Sequence, residues 1–125
     1  MPYQATYEDQ TGIVIIRVYG SVPHVEHEAA RNDAVRLCNE HHCKRLLVDL
    51  RDLAANKDVS ITSCFIFGAE YENIEMPPAT RIAHVMPTDS IAFDNVDFAT
   101  TVAVNRGGLL QNFKSIAEAE AWLLH

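Results

Sequence analysis

The chain has 125 residues, 48% of them hydrophobic and 22% charged, the balance of one globular domain with room for a real core. A formal net charge of −7 excludes the broadly basic surface by which proteins hold nucleic acid or anionic membranes. The opening MPYQATYEDQ has no basic stretch followed by an apolar one, and no apolar run is longer than the four residues Ile13 to Ile16, so neither a secretory leader nor a membrane span is expected.

The elements read in chain order as follows. Tyr3–Glu8 alternates weakly and predicts a short strand, and Asp9-Gln10-Thr11-Gly12 predicts a turn. Residues 13–19 are rich in β-branched side chains and predict a second strand ending at Gly20, the two forming an antiparallel hairpin. Residues 23–42 predict a helix, started by Ser21 or Pro23, with Ala30, Ala34, Leu37, Cys38 and His41 at helical spacing. Residues 45–50 predict a strand. Asp58 is the expected N-cap of a helix over 59–74, which Pro77-Pro78 breaks. Residues 80–86 predict a strand. Residues 89–105 predict a helix with Ile91, Phe98 and Val102 on one face, ended by Gly107-Gly108. Leu109–Phe113 predicts the last strand, and Ser115 to Glu118 a capping box opening a helix with Ala119, Trp122 and Leu123 inside.

The order β-β-α-β-α-β-α-β-α is that of an α/β domain: four helices and a mostly parallel five-stranded sheet whose first strand pairs antiparallel at one edge. Val14, Ile16 and Val18 oppose Ile13 and Ile15, and Leu46 and Val48 oppose Leu47, so both sheet faces need cover. Right-handed crossovers in simple sequential order put most helices on one face. The other face then calls for a helix from elsewhere or a second subunit, and a homodimer is one expectation.

The strands LLVDLRDL and TRIAHVM and the closing LLQNFKSIAEAEAWL, in this order of elements, resemble the STAS-like proteins, closest to a small bacterial set named for stage II sporulation protein AA, the anti-sigma-factor antagonist. The resemblance covers nearly the whole chain and implies the fold more than an activity. In regulatory members an Asp-Ser pair opens the helix after the Asp-Leu strand, and that serine is phosphorylated. A helix N-terminus tolerates the phosphate, and the added charge changes how a docking surface is recognised. Here Asp58 matches the family Asp and Val59 replaces the serine, so Ser60, with Thr62 beyond it, is the candidate phosphorylation site.

Other constellations carry less. Cys38, His41, His42 and Cys43 have zinc-ligand types at close spacing, but no second pair at finger spacing accompanies them, so no metal is expected. Three cysteines read as reduced thiols of a cytoplasmic protein. His24 and Glu28, four apart with His27 between, match an acid–base pair as well as a solvated helix start. Asp49, Arg51 and Asp52 sit at a strand's C-terminal end, where ligands gather in α/β sheets, yet they are also natural ion-pair partners. No dinucleotide-binding glycine motif, P-loop lysine or nucleophile elbow is present, and Gly107-Gly108 lies in the wrong order for phosphate. No cofactor and no enzymatic activity are expected.

On a helical wheel Ile61, Cys64, Phe65, Gly68 and Ala69 form the inner side of the 59–74 helix, extended by Phe67 and Tyr71, while Ile66 faces outward and with Val59 offers a modest partner patch. The first functional expectation is therefore a non-catalytic regulatory or protein-binding module, acting through a protein partner or as a homodimer. The alternative is a binder of a small anionic or amphipathic ligand, lipid-like or nucleotide, beyond the strand ends near Asp49, Arg51, Ser60 and Thr88, where helix N-termini converge.

Overall fold

Tyr3–Glu8 (β1) and Ile13–Val18 (β2) form the expected antiparallel hairpin, Tyr3 opposite Val18 and Glu8 opposite Ile13, in a computed structural model that describes residues 2–125. Gly12 takes φ +68 in the turn, a conformation that L side chains adopt at a cost. His24–Glu40 (α1), Arg45–Asp49 (β4), Ile61–Ala69 (α2), Arg81–Val85 (β6), Ser90–Val104 (α3), Leu109–Phe113 (β7) and Ile116–Leu124 (α4) follow, in the predicted order. Gly20–Ser21 (β3) and Leu53–Ala54 (β5), which the sequence pattern does not announce, pair in parallel as a separate two-stranded ladder.

The main sheet has the order β1-β2-β4-β6-β7 and is parallel except for β1. Register runs straight across it: Ile16 pairs Val48, Val48 pairs His84, and His84 pairs Asn112. Because side chains alternate along a strand, this register sorts the core into two layers. Val14, Ile16, Val18, Leu46 and Ile82 face α1 and the start of α3, packed with Ala30, Ala34, Cys38 and Ala92. Ile13, Leu47, Ala83 and Val85 face the other way, against Ala119 and Leu123 of α4, with Phe113 and Trp122 at the edge. The second face is thus covered over β4, β6 and β7 by the chain's own last helix. Each buried Val, Leu or Ile contributes about 1.5–3 kcal/mol.

Two helix faces differ from expectation. On α2, Cys64 and Gly68 are buried as predicted, but Ile61 is 70% and Phe65 45% exposed, alongside Ile66 at 46%. On α3 the buried residues are Ala92, Thr100, Val102 and Ala103, while Ile91 is largely and Phe98 partly exposed. The reason is the same for both: α2 takes α3, not the sheet, as its principal neighbour. Gly68 meets Ala99 and Val102, so a narrow stripe of α2 is inside and the rest faces out.

Helix starts also moved. Ser60, not Asp58, caps α2: its Oγ accepts from Ser63 N at 3.1 Å while Ser63 Oγ accepts from Ser60 N at 2.8 Å. Asp58 instead caps α1 from across the fold, its Oδ2 accepting from His24 N at 2.9 Å. Pro23, the N-cap residue of α1, has no side-chain oxygen to offer, so the donor was left for Asp58. A short 3-10 turn, Glu70–Asn73, continues α2 in place of further α-helix.

Candidate functional site

A cavity of about 170 Å³ lies between the sheet and the α1–α2–α3 layer. Its origin is legible in the side chains. Ala30 and Ala34 of α1 and Ala92, Ala99 and Ala103 of α3 line it, and such short side chains leave unfilled the ~10 Å that separates packed layers. Leu46, Val48, Leu50, Ile82, Val96 and Leu110 supply apolar walls. The β3–β5 ladder closes one end: Ser21 Oγ donates to Ala55 O at 3.0 Å and Asn56 Nδ2 to Ser21 Oγ at 3.0 Å, which holds Leu53 to Asn56 against the cavity.

The polar groups are few and placed at two points. At the α1–α2 seam, His24, His27 and Arg31 share one face of α1, spaced three and four apart. All three surround Phe67: the Arg31 guanidinium carbon is 4.2 Å from the ring centroid, and the His24 and His27 rings approach edge-on at 6.1 and 6.4 Å. Arg31 Nη1 donates to Phe67 O and Nη2 to Glu70 Oε1, each at 3.2 Å. Its Nε is buried without any hydrogen-bond acceptor, alone in this among the described residues. Burial pushes the His27 pKa down to about 4, helped by the neighbouring His24 and opposed by a hydrogen bond to the Val22 backbone, so His27 is neutral at pH 7. His24 and Glu28 stand 3.8 Å apart, a loose pair at the rim.

At the far side, His84 of β6 is hydrogen-bonded to Asn112 of β7, with Thr100 of α3 closing the group. Burial lowers the His84 pKa, against the opposing pull of the Asn112 hydrogen bond.

The predicted site residues divide. Val59 lines the cavity; Asp49, Arg51, Asp58, Ser60, Thr62, Ile66 and Thr88 do not. Asp49 and Arg51 satisfy each other through Arg51 Nε to Oδ1 at 3.0 Å and Nη2 to Oδ2 at 2.9 Å. Burial raises the Asp49 pKa and the Arg51 hydrogen bonds lower it, with a net decrease. The Arg51 side chain is otherwise exposed. Thr62 and Ile66 are on the outer surface of α2, and the Ser60 hydroxyl is exposed at its start. Arg31, His84 and Thr100 went unnoticed in the sequence. The i, i+3, i+7 spacing of His24, His27 and Arg31 was the available signal for the first of them, and a polar residue in the middle of TRIAHVM for the second.

Within the Cys/His cluster the Cys38 and Cys43 thiols are hydrogen-bonded neighbours, and the histidines turn elsewhere. Cys38 and Cys43 are buried and free, His41 stacks on Tyr7 at 3.9 Å, and His42 is exposed with φ 51. Burial pushes the Cys38 thiol up to about 12, reinforced by Cys43. Among the described residues no group of three or more His, Cys, Asp or Glu is placed to hold a metal ion, and no helix is long and apolar enough to cross a membrane. No protein-family model matches the chain, and no curated protein is significantly similar to it.

Proposed function

We propose that the chain is a non-catalytic, STAS-like binding module that holds a small amphipathic acid in the cavity beneath α2. The apolar body lies among the alanines and the sheet, and the anionic head meets Arg31. The observation that carries this is the Arg31 guanidinium, its Nε without an acceptor, among the residues that line an apolar chamber. A buried donor without an acceptor costs about 1–3 kcal/mol, and a carboxylate or phosphate oxygen removes that cost with a charge-assisted bond. Glu70, half-exposed, takes one other donor of the same guanidinium. At about 30 Å³ for each water-sized group, the chamber holds on the order of six, the apolar part of a six- to eight-carbon acid.

The test is a thermal-shift series with hexanoate, octanoate and decanoate. At a hundred times its Kd the best acid should stabilise the protein by about 2.7 kcal/mol. No shift with any acid contradicts the reading. Arg31→Met keeps the stem over Phe67 and removes the donors. It should weaken octanoate by roughly 10- to 100-fold by calorimetric titration, the worth of a hydrogen bond to a charged group.

The exposed Ile61, Phe65 and Ile66 favour a second reading, a protein partner on the outer face of α2. Substituting both Ile61 and Ile66 by Ser should leave the unfolding midpoint nearly unchanged and abolish any self-association measured by sedimentation. A wild-type chain that sediments as a monomer at all concentrations, and captures no partner, counts against it.

A further inference from the structure

The cavity's second polar point has a fixed hydrogen-bonding sense. Asn112 Nδ2 donates to Asp97 Oδ1 at 3.3 Å, which turns Asn112 Oδ1 toward His84 Nδ1 at 2.9 Å. A carbonyl oxygen only accepts, so Nδ1 carries the proton. Thr100 does not reverse this, because its hydroxyl donates to Val96 O at 2.8 Å and is left facing the imidazole as an acceptor at 3.2 Å. With the ring kept neutral by burial, Nε2 has a bare lone pair. No group among the described residues donates to it, and it is not sealed in the protein, since Arg31 Nε is the buried unpartnered side-chain atom. His84 lines the cavity, which is where a donor to this acceptor would come from.

We infer that His84 selects, within the acid-binding cavity, ligands with a hydroxyl at the end of the apolar body remote from the acid. The inference rests on the amphipathic-acid reading and narrows it to hydroxy acids. The chamber is lined by the Arg31 guanidinium at its seam and by His84 on the sheet, with apolar walls between. A plain acid satisfies the first and leaves the second unpaired. A hydroxy acid of matching length satisfies both, and a buried polar group left unpaired is what lets a site reject the analogue lacking its partner.

Matched pairs test this: octanoate with 8-hydroxyoctanoate, and 3-phenylpropionate with 3-(4-hydroxyphenyl)propionate, titrated calorimetrically into the wild type and His84→Phe. In at least one pair the hydroxylated acid should bind the wild type about tenfold more tightly, and His84→Phe should abolish that preference while still binding the plain acid. Should His84→Phe not fold, the ¹⁵N resonances of His84 in the wild type give the same answer. Nδ1 should be protonated throughout, and the Nε2 signal should move with the hydroxy acid and stay with the plain one. Plain acids binding as tightly as hydroxylated ones in both pairs overturns the role of His84 and leaves the acid site standing. Failure of all four ligands to bind overturns both.

Discussion

Gly68→Val should destabilise the protein by about 3 kcal/mol and lower its melting temperature by roughly 10 °C, although valine is a better helix former than glycine. The residue sits in the interior of α2, where a glycine ordinarily weakens the helix by roughly 1 kcal/mol relative to alanine. A Cβ there would lie 2.5 Å from the Ala99 carbonyl oxygen and 2.9 Å from Val102 Cβ. The first obstacle is backbone in the middle of α3 and cannot swing aside as a side chain would. The helices must separate, and α2 has little other support, since α3 is its principal neighbour. Gly68→Ala meets the same oxygen and should cost less, about 1–2 kcal/mol, because the propensity gain offsets part of the clash. Urea unfolding of the two variants checks the order. A stabilised Gly68→Ala would mean that α2 is not held against α3 in this way.

Stability should fall steeply as pH drops from 6.5 toward 4. His27 has a folded pKa of about 4 against an unfolded value near 6.5. Within that window the unfolded chain binds a proton that the folded chain refuses, so acid favours unfolding. The contribution is complete above pH 6.5, about 2 kcal/mol of it is gone by pH 5, and roughly 3 kcal/mol by pH 4. The charged and titratable neighbours on the seam are His24 beside it on α1, Arg31 one turn on, and Glu70 beyond α2. His84 is shifted in the same direction and adds to the slope. Asp49 and Asp89 have lowered pKa values and lose their contributions only at more acidic pH. Urea denaturation of the wild type and His27→Gln at pH 7.5 and 5 isolates the one ring. The variant should lose about 2 kcal/mol less than the wild type over that interval, and equal losses would contradict the burial of His27.

Most of the architecture was written in local patterns. The hairpin, the alternating strands and helices and the capped last helix were visible because each rests on residues adjacent in the chain: Gly12 in its turn, Leu46 to Val48 in their strand, Ser115 before Glu118. What escaped depended on distance. Asp58 reads as a cap of the helix that follows it, and only the fold reveals that it caps a helix 34 residues earlier. The wheel of α2 assigned Ile61 and Phe65 to the core because periodicity cannot say that the helix leans on α3 and stands off the sheet. The cavity was hidden for a related reason. Five alanines on α1 and α3 look like ordinary helix formers until they face the same space. Asp49 and Arg51 drew attention by their position at a strand end, and the structure gives them to each other, while the unsatisfied Arg31 Nε and the cavity-lining His84 sit a layer away.

The claim beneath the functional account is that the space under α2 is a ligand chamber whose charged end is Arg31. It is tested most directly by isotope-filtered NOE measurements between unlabelled octanoate and methyl-labelled protein. Cross-peaks from the acyl chain to Leu46, Ile82, Val96 and Leu110, lost in Arg31→Met at the same ligand concentration, are the expected result. Cross-peaks confined to the exposed Ile61, Ile66 and Ile91 would contradict it, as would none at a concentration that shifts the melting temperature.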